Sequence, residues 1–470
     1  MGPVRHADLC LSDERRDALC ERLLAAQALH DVRERLYLMD ASFLPILVMS
    51  VGLLLMFALS VPIYISFLFC NLIAVMLMMG PAGSVLFVNS ISSTSTSLTL
   101  VPLPAFILMG EILYRGNAVG QLLTATDKLI GGFRGRHFVL GISISTILAT
   151  MSGSAMGSAA MLSRSVYPEM RSRGYDKKMS VGVLIGGACL APIIPPSVLA
   201  ILISILAQMS VKDMFVAGII PGLMIFGMII AYILIRVALR PEIAPIDTDY
   251  QRPTGGEILG AIGKLLPFTL VIGFVVGSII LGIATPIESA VAGVFGAMIV
   301  ALIFGRLSLR MMVEALQSTT LTTTMVIAIM FSSQLFTQLL GFSGTSRLIS
   351  SVVADLDLPD PIMLLIMMAI PFVLCMLLDE IAAMLILIPI YLTILPHMEI
   401  EPIAFWVLFL INMTVGAMTP PVGYVLFVIR GVIGDISMQT IFSAVLPYVL
   451  IFILAMTILA TFPQLLTMLL

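Results

Sequence analysis

Two double-proline interruptions of apolar sequence constrain this chain more than any other feature. The first is APIIPPS at residues 191–197, and the second is TPPVG at residues 419–423, about 225 residues later. Proline lacks a backbone donor and clashes with the preceding turn, so neither stretch continues a helix. Carbonyls freed in this way are tolerated in hydrocarbon only where protein or a water-filled cavity covers them. Such a pair of breaks is typical of the substrate and ion site of a secondary transporter.

The composition places the chain in a membrane. Of its 470 residues, 60% are hydrophobic and 11% are charged, which is more apolar than a soluble fold accommodates. The apolar runs are continuous rather than alternating, which favours helices over a transmembrane barrel. We therefore predict an all-α polytopic membrane protein. Scattered cysteines without a CxxC spacing predict neither a disulfide nor a metal site, and the few basic residues predict no nucleic-acid partner.

Polar and apolar segments divide the chain into four parts. Residues 1–41 are charged with apolar positions at helical spacing, so we predict an amphipathic arm on the membrane or on a partner; a disordered tail is the alternative. Residues 42–240 and 264–470 are predicted to be two transmembrane halves, each with one hairpin and one break. Residues 241–263 are predicted to form the loop between them. The basic loop at residues 164–178 predicts the cytoplasmic face.

A weak internal repeat relates the two halves. Ser158 and Asp379 each precede a proline by ten residues, with Ala-Ala-Met-Leu in between. The double prolines follow 27 and 31 residues after those prolines. The shared order predicts that each half contributes one hairpin and one broken helix to a common site near the membrane midplane.

Two acidic residues interrupt an apolar run in the second half. Asp379 and Glu380 would each cost about 2.5–3.5 kcal/mol at the bilayer centre, and such residues mark ion or substrate pathways. The alternative is a hairpin tip that reaches water. We predict a site role for Asp379, whereas Glu380 is the weaker candidate with helix capping as its alternative. Asn412 and Thr414, near the second break, are candidates whose alternative is a bond to a nearby carbonyl.

A small polar stretch follows an apolar run in the first half. It contains Ser152, Ser154 and Ser158, and close helix packing is its alternative interpretation. If its oxygens face the APIIPPS break, they offer the ligands that suit a hard cation. Helix N-termini beside the breaks favour an anionic substrate.

Together these stretches resemble the large membrane subunit of the tripartite ATP-independent periplasmic (TRAP) transporters, the DctM-like permeases. The resemblance covers nearly everything from residue 42 onward in family order, and its most specific parts are the double prolines, the GYD loop and Asp379. The matching stretches are SVPIYISF (60–67), LPAFILMGEIL (103–113), MSGSAMGSAAML (151–162), YPEMRSRGYD (167–176), APIIPPS (191–197), MFVAGIIPGL (214–223), LLDEIAAMLILIPI (377–390) and NMTVGAMTPPVGYVLFV (412–428).

The resemblance implies an elevator-type transporter of the bacterial inner membrane, with two inverted repeats, two re-entrant hairpins and two broken helices. It implies sodium ions as coupling ions, no other cofactor, a periplasmic binding protein that delivers an organic acid, and a small four-helix membrane subunit. The implied ligands of a first sodium site are Ser152, Ser154, Ala191, Ile194 and Pro196, and those of a second sodium site are Gly416, Thr419 and Pro421. The residues assigned to substrate binding are Ser154, Ser158, Ser197, Asp379 and Asn412.

This chain departs from the family pattern at several positions. The family usually has Asp where Ser158 stands and Gly-Ser where Ser163 and Arg164 stand, and it often has Gly at Ala191 and Thr at Ile381. The missing acidic residue at position 158 leaves the ion stoichiometry and the substrate open.

Two alternatives to a receptor-dependent permease remain. One is a carrier of the same superfamily that works alone, as citrate or arsenite carriers do. The other is an intramembrane aspartyl enzyme built on Asp379. That chemistry needs two carboxylates sharing a proton, and neighbours such as Asp379 and Glu380 point in different directions from one helix. We therefore predict a protein that is not an enzyme.

Overall fold

The structure, a computed structural model, describes residues 51–53, 55–56, 59, 61–116, 118–152, 155–245, 253–356, 358–421, 423–434 and 436–470. The predicted arm at residues 1–41 lies outside them. The described chain is helical and contains no strand. Its helices are α1 (Ile63–Met79), α2 (Gly83–Ser95), α3 (Pro102–Arg115), α4 (Ala118–Leu129), α5 (Arg136–Ser152), α6 (Ala155–Ser165), α7 (Tyr167–Ser172), α8 (Lys177–Ala188), α9 (Val198–Leu206), α10 (Val211–Leu239), α11 (Gly255–Ile280), α12 (Pro286–Ile303), α13 (Leu309–Phe342), α14 (Thr345–Leu356), α15 (Asp360–Leu377), α16 (Glu380–Ile394), α17 (Pro402–Ala417), α18 (Tyr424–Ile433), α19 (Met438–Thr461) and α20 (Gln464–Thr467).

Many of these helices are long and apolar enough to cross a bilayer. Among the described residues nine segments meet that standard, and the predicted all-α polytopic class is confirmed. The segments are Tyr64–Ser95, Leu98–Arg115, Val211–Leu239, Gly255–Ile280, Pro286–Ile303, Leu309–Phe342, Asp360–Leu377, Glu380–His397 and Met438–Thr461.

The connection between the halves is shorter than the sequence suggested. Helix α11 begins at Gly255, so the predicted loop at residues 241–263 overlaps its first turns. The cause is a capping box, in which Thr254 accepts from the Glu257 N–H while the Glu257 carboxylate accepts from the Thr254 N–H. Glu288 forms the same box with Thr285 at the start of α12.

Each half contains a helical hairpin followed by a helix broken at a double proline. The first hairpin is α5 with α6, and the second is α15 with α16. The first break, residues 189–197, separates α8 from α9, and the second break, residues 418–423, separates α17 from α18. In both breaks the peptide bond between the two prolines is cis.

The two halves interlock through these four elements. Helix α18, which follows the second break, packs against α6 of the first hairpin. Helix α9, which follows the first break, packs against α16 of the second hairpin. Within each half the helix before the break packs on its own hairpin, α8 on α5 and α17 on α15. The breaks and hairpins therefore form one packed unit.

Burial separates the centre of the molecule from its lipid-facing helices. In α17 every residue from Ile403 to Ala417 is buried, and so is every residue of α8 from Met179 to Ala188. By contrast, only 17% of the apolar window of α11 is buried within the protein. A helix that is apolar all round is either in a core or facing lipid, and this fold uses both. The broken helices occupy the core.

Candidate functional site

A cavity of about 450 Å³ lies where the interlocked unit meets α3 and α13. Its walls come from α6, from the first turns of α9, α16 and α18, and from the two helices α3 and α13. Both hairpins and both helices that follow a break therefore border one space. The ionisable side chains on its walls include Glu111, Arg164, Asp379, Glu380 and Tyr424.

The tip of the second hairpin presents two carboxylates to this cavity. Asp379 is the N-cap of α16, and its Oδ2 accepts from the Ile381 N–H at 3.1 Å. Glu380 is the first residue of the helix; its side chain is 3% exposed, and Oε1 has no hydrogen-bond partner among the described residues. The Tyr424 hydroxyl lies beside the Glu380 carboxyl. The capping role considered for Glu380 therefore belongs to Asp379, whereas the predicted site role of Asp379 stays a prediction.

The first break is tightly enclosed. A Cβ added to Gly218 of α10 would lie 2.7 Å from the Ile193 carbonyl oxygen, so α10 closes directly on the break. Ser197 caps α9 by accepting from the Ala200 N–H at 3.2 Å, and its hydroxyl donates to the Pro192 carbonyl. These bonds occupy the Ser197 side chain, which does not line the cavity. The structure thus gives Ser197 a capping role, and its predicted contact with substrate stays a prediction.

Free carbonyl oxygens are present at the first break. Among the described residues no donor reaches the carbonyls of Ala191, Ile194 or Pro196. These are the backbone oxygens that the family resemblance assigns to the first sodium site, so the donor set fits a hard cation. Ser152 is the last residue of α5, and Ser154 lies outside the described residues. The sodium assignment at these five positions stays a prediction.

The second break is held differently. The Gly423 N–H donates to the Met376 carbonyl of the second hairpin at 3.1 Å, which ties the break to the hairpin tip. The Thr419 hydroxyl donates to the Val415 carbonyl at 2.6 Å. The Gly416 carbonyl accepts from the Thr419 N–H, whereas the carbonyls of Thr419 and Pro421 accept no bond within the described chain. Two of the three predicted ligands thus keep free oxygens.

Three further sequence candidates lie away from the cavity. The Asn412 amide donates to the Met368 carbonyl of α15, and the Thr414 hydroxyl donates to the Leu410 carbonyl. Ser158 is fully buried on α6, and the cavity is lined by its neighbours instead. The structure therefore does not bring Ser158 or Asn412 to the cavity with Asp379, and their assignment to substrate stays a prediction.

The sequence analysis did not identify Arg164 as a basic side chain of the cavity. Arg164, assigned to the cytoplasmic loop, lies in the last turn of α6 and lines the cavity. The family pattern has Gly-Ser where Ser163 and Arg164 stand, and this difference was the feature of the sequence that could have indicated a role for Arg164. Glu111 also lines the cavity, where it accepts from Ser318 at 2.8 Å and from Arg115 at 2.9 Å. Arg115 bonds Glu314 as well, so these charges connect α3 with α13.

Comparisons with known proteins agree with this architecture. The family described as "Tripartite ATP-independent periplasmic transporter, DctM component" matches residues 50–465. The chain is similar to the 2,3-diketo-L-gulonate TRAP transporter large permease protein YiaN of Escherichia coli, at 28% identity over 87% of this chain and 95% of that protein.

A second relative and one solved structure extend the comparison. The C4-dicarboxylate TRAP transporter large permease protein DctM of Pseudomonas aeruginosa is 28% identical over 79% of this chain and 86% of its own. The Alcanivorax borkumensis YdaH transporter structure shares the fold, with a TM-score of 0.57 and 13% identity over 83% of this chain and 91% of that one. On the family match and the helical architecture, the chain belongs to the DctM-component family of tripartite ATP-independent periplasmic transporters.

Proposed function

We propose that this chain is the large permease subunit of a sodium-coupled secondary transporter that imports an organic acid across the bacterial inner membrane. The observation that carries the proposal is the single cavity bordered by both hairpins and both helices that follow a break. That arrangement suits a site carried between two faces of the membrane. Relatives named for 2,3-diketo-L-gulonate and for C4-dicarboxylate support an organic acid as cargo.

The mechanism follows from which elements pack together. The interlocked hairpins and broken helices would move as one body, with α3, α12 and α13 as the framework, as in an elevator. The packing of α3 on α12 and α13 and the Arg115 bridge between Glu111 and Glu314 support a rigid framework. A small four-helix subunit would brace this framework, and a periplasmic binding protein would deliver the cargo.

Sodium would bind at the free carbonyls of the two breaks. Backbone oxygens such as those of Ala191, Ile194 and Pro196 accept no bond from a described donor, and oxygen ligands of this kind would suit a sodium ion. The ion would also hold each break against its hairpin. Binding of cargo and ion would then stabilise the same packed unit, which is the coupling that symport requires.

Sodium dependence is the first test. Liposomes containing the permease, its small subunit and its binding protein should take up labelled cargo in a sodium gradient. Replacing external sodium with choline should stop uptake. Uptake driven by a proton gradient alone, with sodium absent, would show that the ion assignment is wrong.

The hairpin carboxylate provides the second test. Asp379→Asn should abolish uptake while leaving membrane insertion and thermal unfolding close to wild type, because an amide keeps the shape but not the charge. The control is Asp360→Asn, since Asp360 also accepts a backbone N–H, from Glu399 at 2.9 Å, but lies at the other end of α15. Unchanged uptake by Asp379→Asn would remove this residue from the site.

Receptor dependence is the third test. The permease and small subunit without the binding protein should not take up free acid. Robust uptake without the binding protein would favour the alternative of a carrier that works alone.

A further inference from the structure

Two opposite charges on the walls of the cavity form no ion pair with a described residue. Arg164 is exposed in the last turn of α6, and within the described chain it forms no ion pair or hydrogen bond. Glu380, on the tip of the second hairpin, is 97% buried and its Oε1 accepts no bond from a described residue. The two side chains line one space but do not form an ion pair with each other within 4.0 Å.

The other charges of the cavity already have hydrogen-bond partners. Glu111 accepts from Arg115 and Ser318, and Asp379 accepts the Ile381 N–H as a helix cap. The N–H bond leaves the charge of Asp379 in place, so the walls hold one guanidinium from the first half of the chain and two carboxylates from the second half that form no ion pair with a described residue. An unpartnered buried carboxylate is unfavourable unless a cation or proton joins it.

A purely anionic cargo would satisfy only half of this arrangement. Its carboxylate could bind the Arg164 guanidinium in a bidentate pair, but the rest of the molecule would face the Glu380 and Asp379 carboxylates. A molecule with both a carboxylate and a cationic group would pair with both walls. A cavity of about 450 Å³ holds a small molecule of this kind.

We propose that the cargo is zwitterionic, with its carboxylate on Arg164 and its ammonium or amidinium group on Glu380, beside the Tyr424 hydroxyl. This inference rests on the proposed import function and narrows its substrate class. Arg164 and Glu380 are specificity-determining residues in this arrangement, because each selects one end of the cargo.

The charge layout can be measured without knowing the cargo. A single cysteine would replace either Ala160, one turn before Arg164, or Ile381, beside Glu380. The background is the full chain with Cys10 and Cys20 changed to serine. The other native cysteines, Cys70, Cys189 and Cys375, are buried. The probes are the sulfonatoethyl and trimethylammonioethyl methanethiosulfonates. The anionic probe should react faster at position 160 and the cationic probe faster at position 381, each by about tenfold.

Arg164→Gln should remove the preference at position 160 and leave the one at position 381. Equal rates for both probes at either position, or the same preference at both, would overturn the proposal. The chain without an introduced cysteine controls for background labelling.

The cargo itself provides the decisive test. The small molecule that co-purifies with the binding protein should carry both a carboxylate and a cationic group when identified by native mass spectrometry. Arg164→Gln and Glu380→Gln should each raise the KM for its uptake at least about tenfold with little change in kcat, the signature of lost binding contacts. Glu288→Gln, a surface helix cap, is the control.

Three outcomes would contradict the proposal while leaving import intact. A trapped acid without a cationic group contradicts it directly. An unchanged or lower KM in Glu380→Gln would mean that this carboxylate only repels an anion. A fall in kcat with unchanged KM in both variants would mean that Arg164 and Glu380 pair with each other during transport. Absence of any receptor-dependent uptake would instead contradict the proposed function.

Discussion

The two breaks share a motif but differ in what holds them. In the first, the Ser197 side chain caps the next helix and α10 presses on the chain at Ile193. In the second, the N-cap of the next helix is Gly423, which has no side chain to accept a bond, and its N–H donates to the Met376 carbonyl of the second hairpin. The first break is thus fixed by packing from outside, whereas the second is fixed by the hairpin that carries Asp379. Similar sequence motifs have been stabilised by different contacts.

The largest loss of stability is expected for a substitution at Gly423. Its φ of +40° is unfavourable for other residues, and a Cβ would lie 2.9 Å from the Thr419 carbonyl oxygen. Gly423→Ala should therefore destabilise the protein by about 2–4 kcal/mol, from backbone strain and crowding together. Gly434→Ala is the matched control, since its φ is +72° but nothing lies within 4 Å. Thermal unfolding in detergent measures both, and equal losses would mean that crowding at the second break is negligible.

A smaller loss is expected where α10 closes the first break. Gly218→Ala would force its Cβ against the Ile193 carbonyl, costing about 1–3 kcal/mol against a gain of about 1 kcal/mol in helix propensity. Gly227→Ala on the same helix has open space around it and should be neutral or stabilising. If the two variants unfold at the same temperature, α10 does not hold the first break.

A loss of stability of similar size is expected at the buried cap of the first break. Ser197→Ala removes the bond to the Ala200 N–H and the donor to the Pro192 carbonyl, and it should cost about 1–2 kcal/mol. Ser437 caps α19 in the same way but is exposed, so Ser437→Ala should cost about 0.5–1 kcal/mol. A larger unfolding shift for Ser437→Ala would contradict the importance of burial at the first break.

The smallest effect is expected at Thr414. Its hydroxyl bonds only the Leu410 carbonyl within its own helix, so Thr414→Val should change stability by about 0.5 kcal/mol or less. Sodium-dependent uptake should remain close to wild type. A clear loss of uptake with intact folding would return Thr414 to the candidate site.

The positions of the breaks and hairpins could be predicted because local chemistry determines them. Proline interrupts a helix wherever it lies, and an acidic residue in an apolar run needs a hairpin tip or a cavity. The start of α11 was also visible in principle, because Thr254 and Glu257 have capping-box spacing. The predicted boundary rests instead on the hydrophobic run from Lys264, which begins after this capping box.

Other features depend on contacts that spacing does not reveal. The residue that caps α16 is the last one with an extended backbone, which is Asp379 and not Glu380. The known preference of Asp for N-cap positions agrees with this result. The sequence makes Asn412 a candidate site residue, since it does not reveal the Met368 carbonyl to which the Asn412 amide donates. Arg164 could not be recognised as a cavity residue because it adjoins a basic loop, and basic residues in such a loop are expected on the cytoplasmic side of a membrane protein.

The exchange of helices between the halves has a consequence for how the molecule can change shape. Since α18 lies on α6 and α9 lies on α16, neither hairpin can slide past the framework without pulling the other along. Under the proposed elevator mechanism, separate gates on the two sides of the membrane would not be needed, because the whole packed unit would expose the cavity to one side at a time. A pathway open to both sides at once would then be avoided.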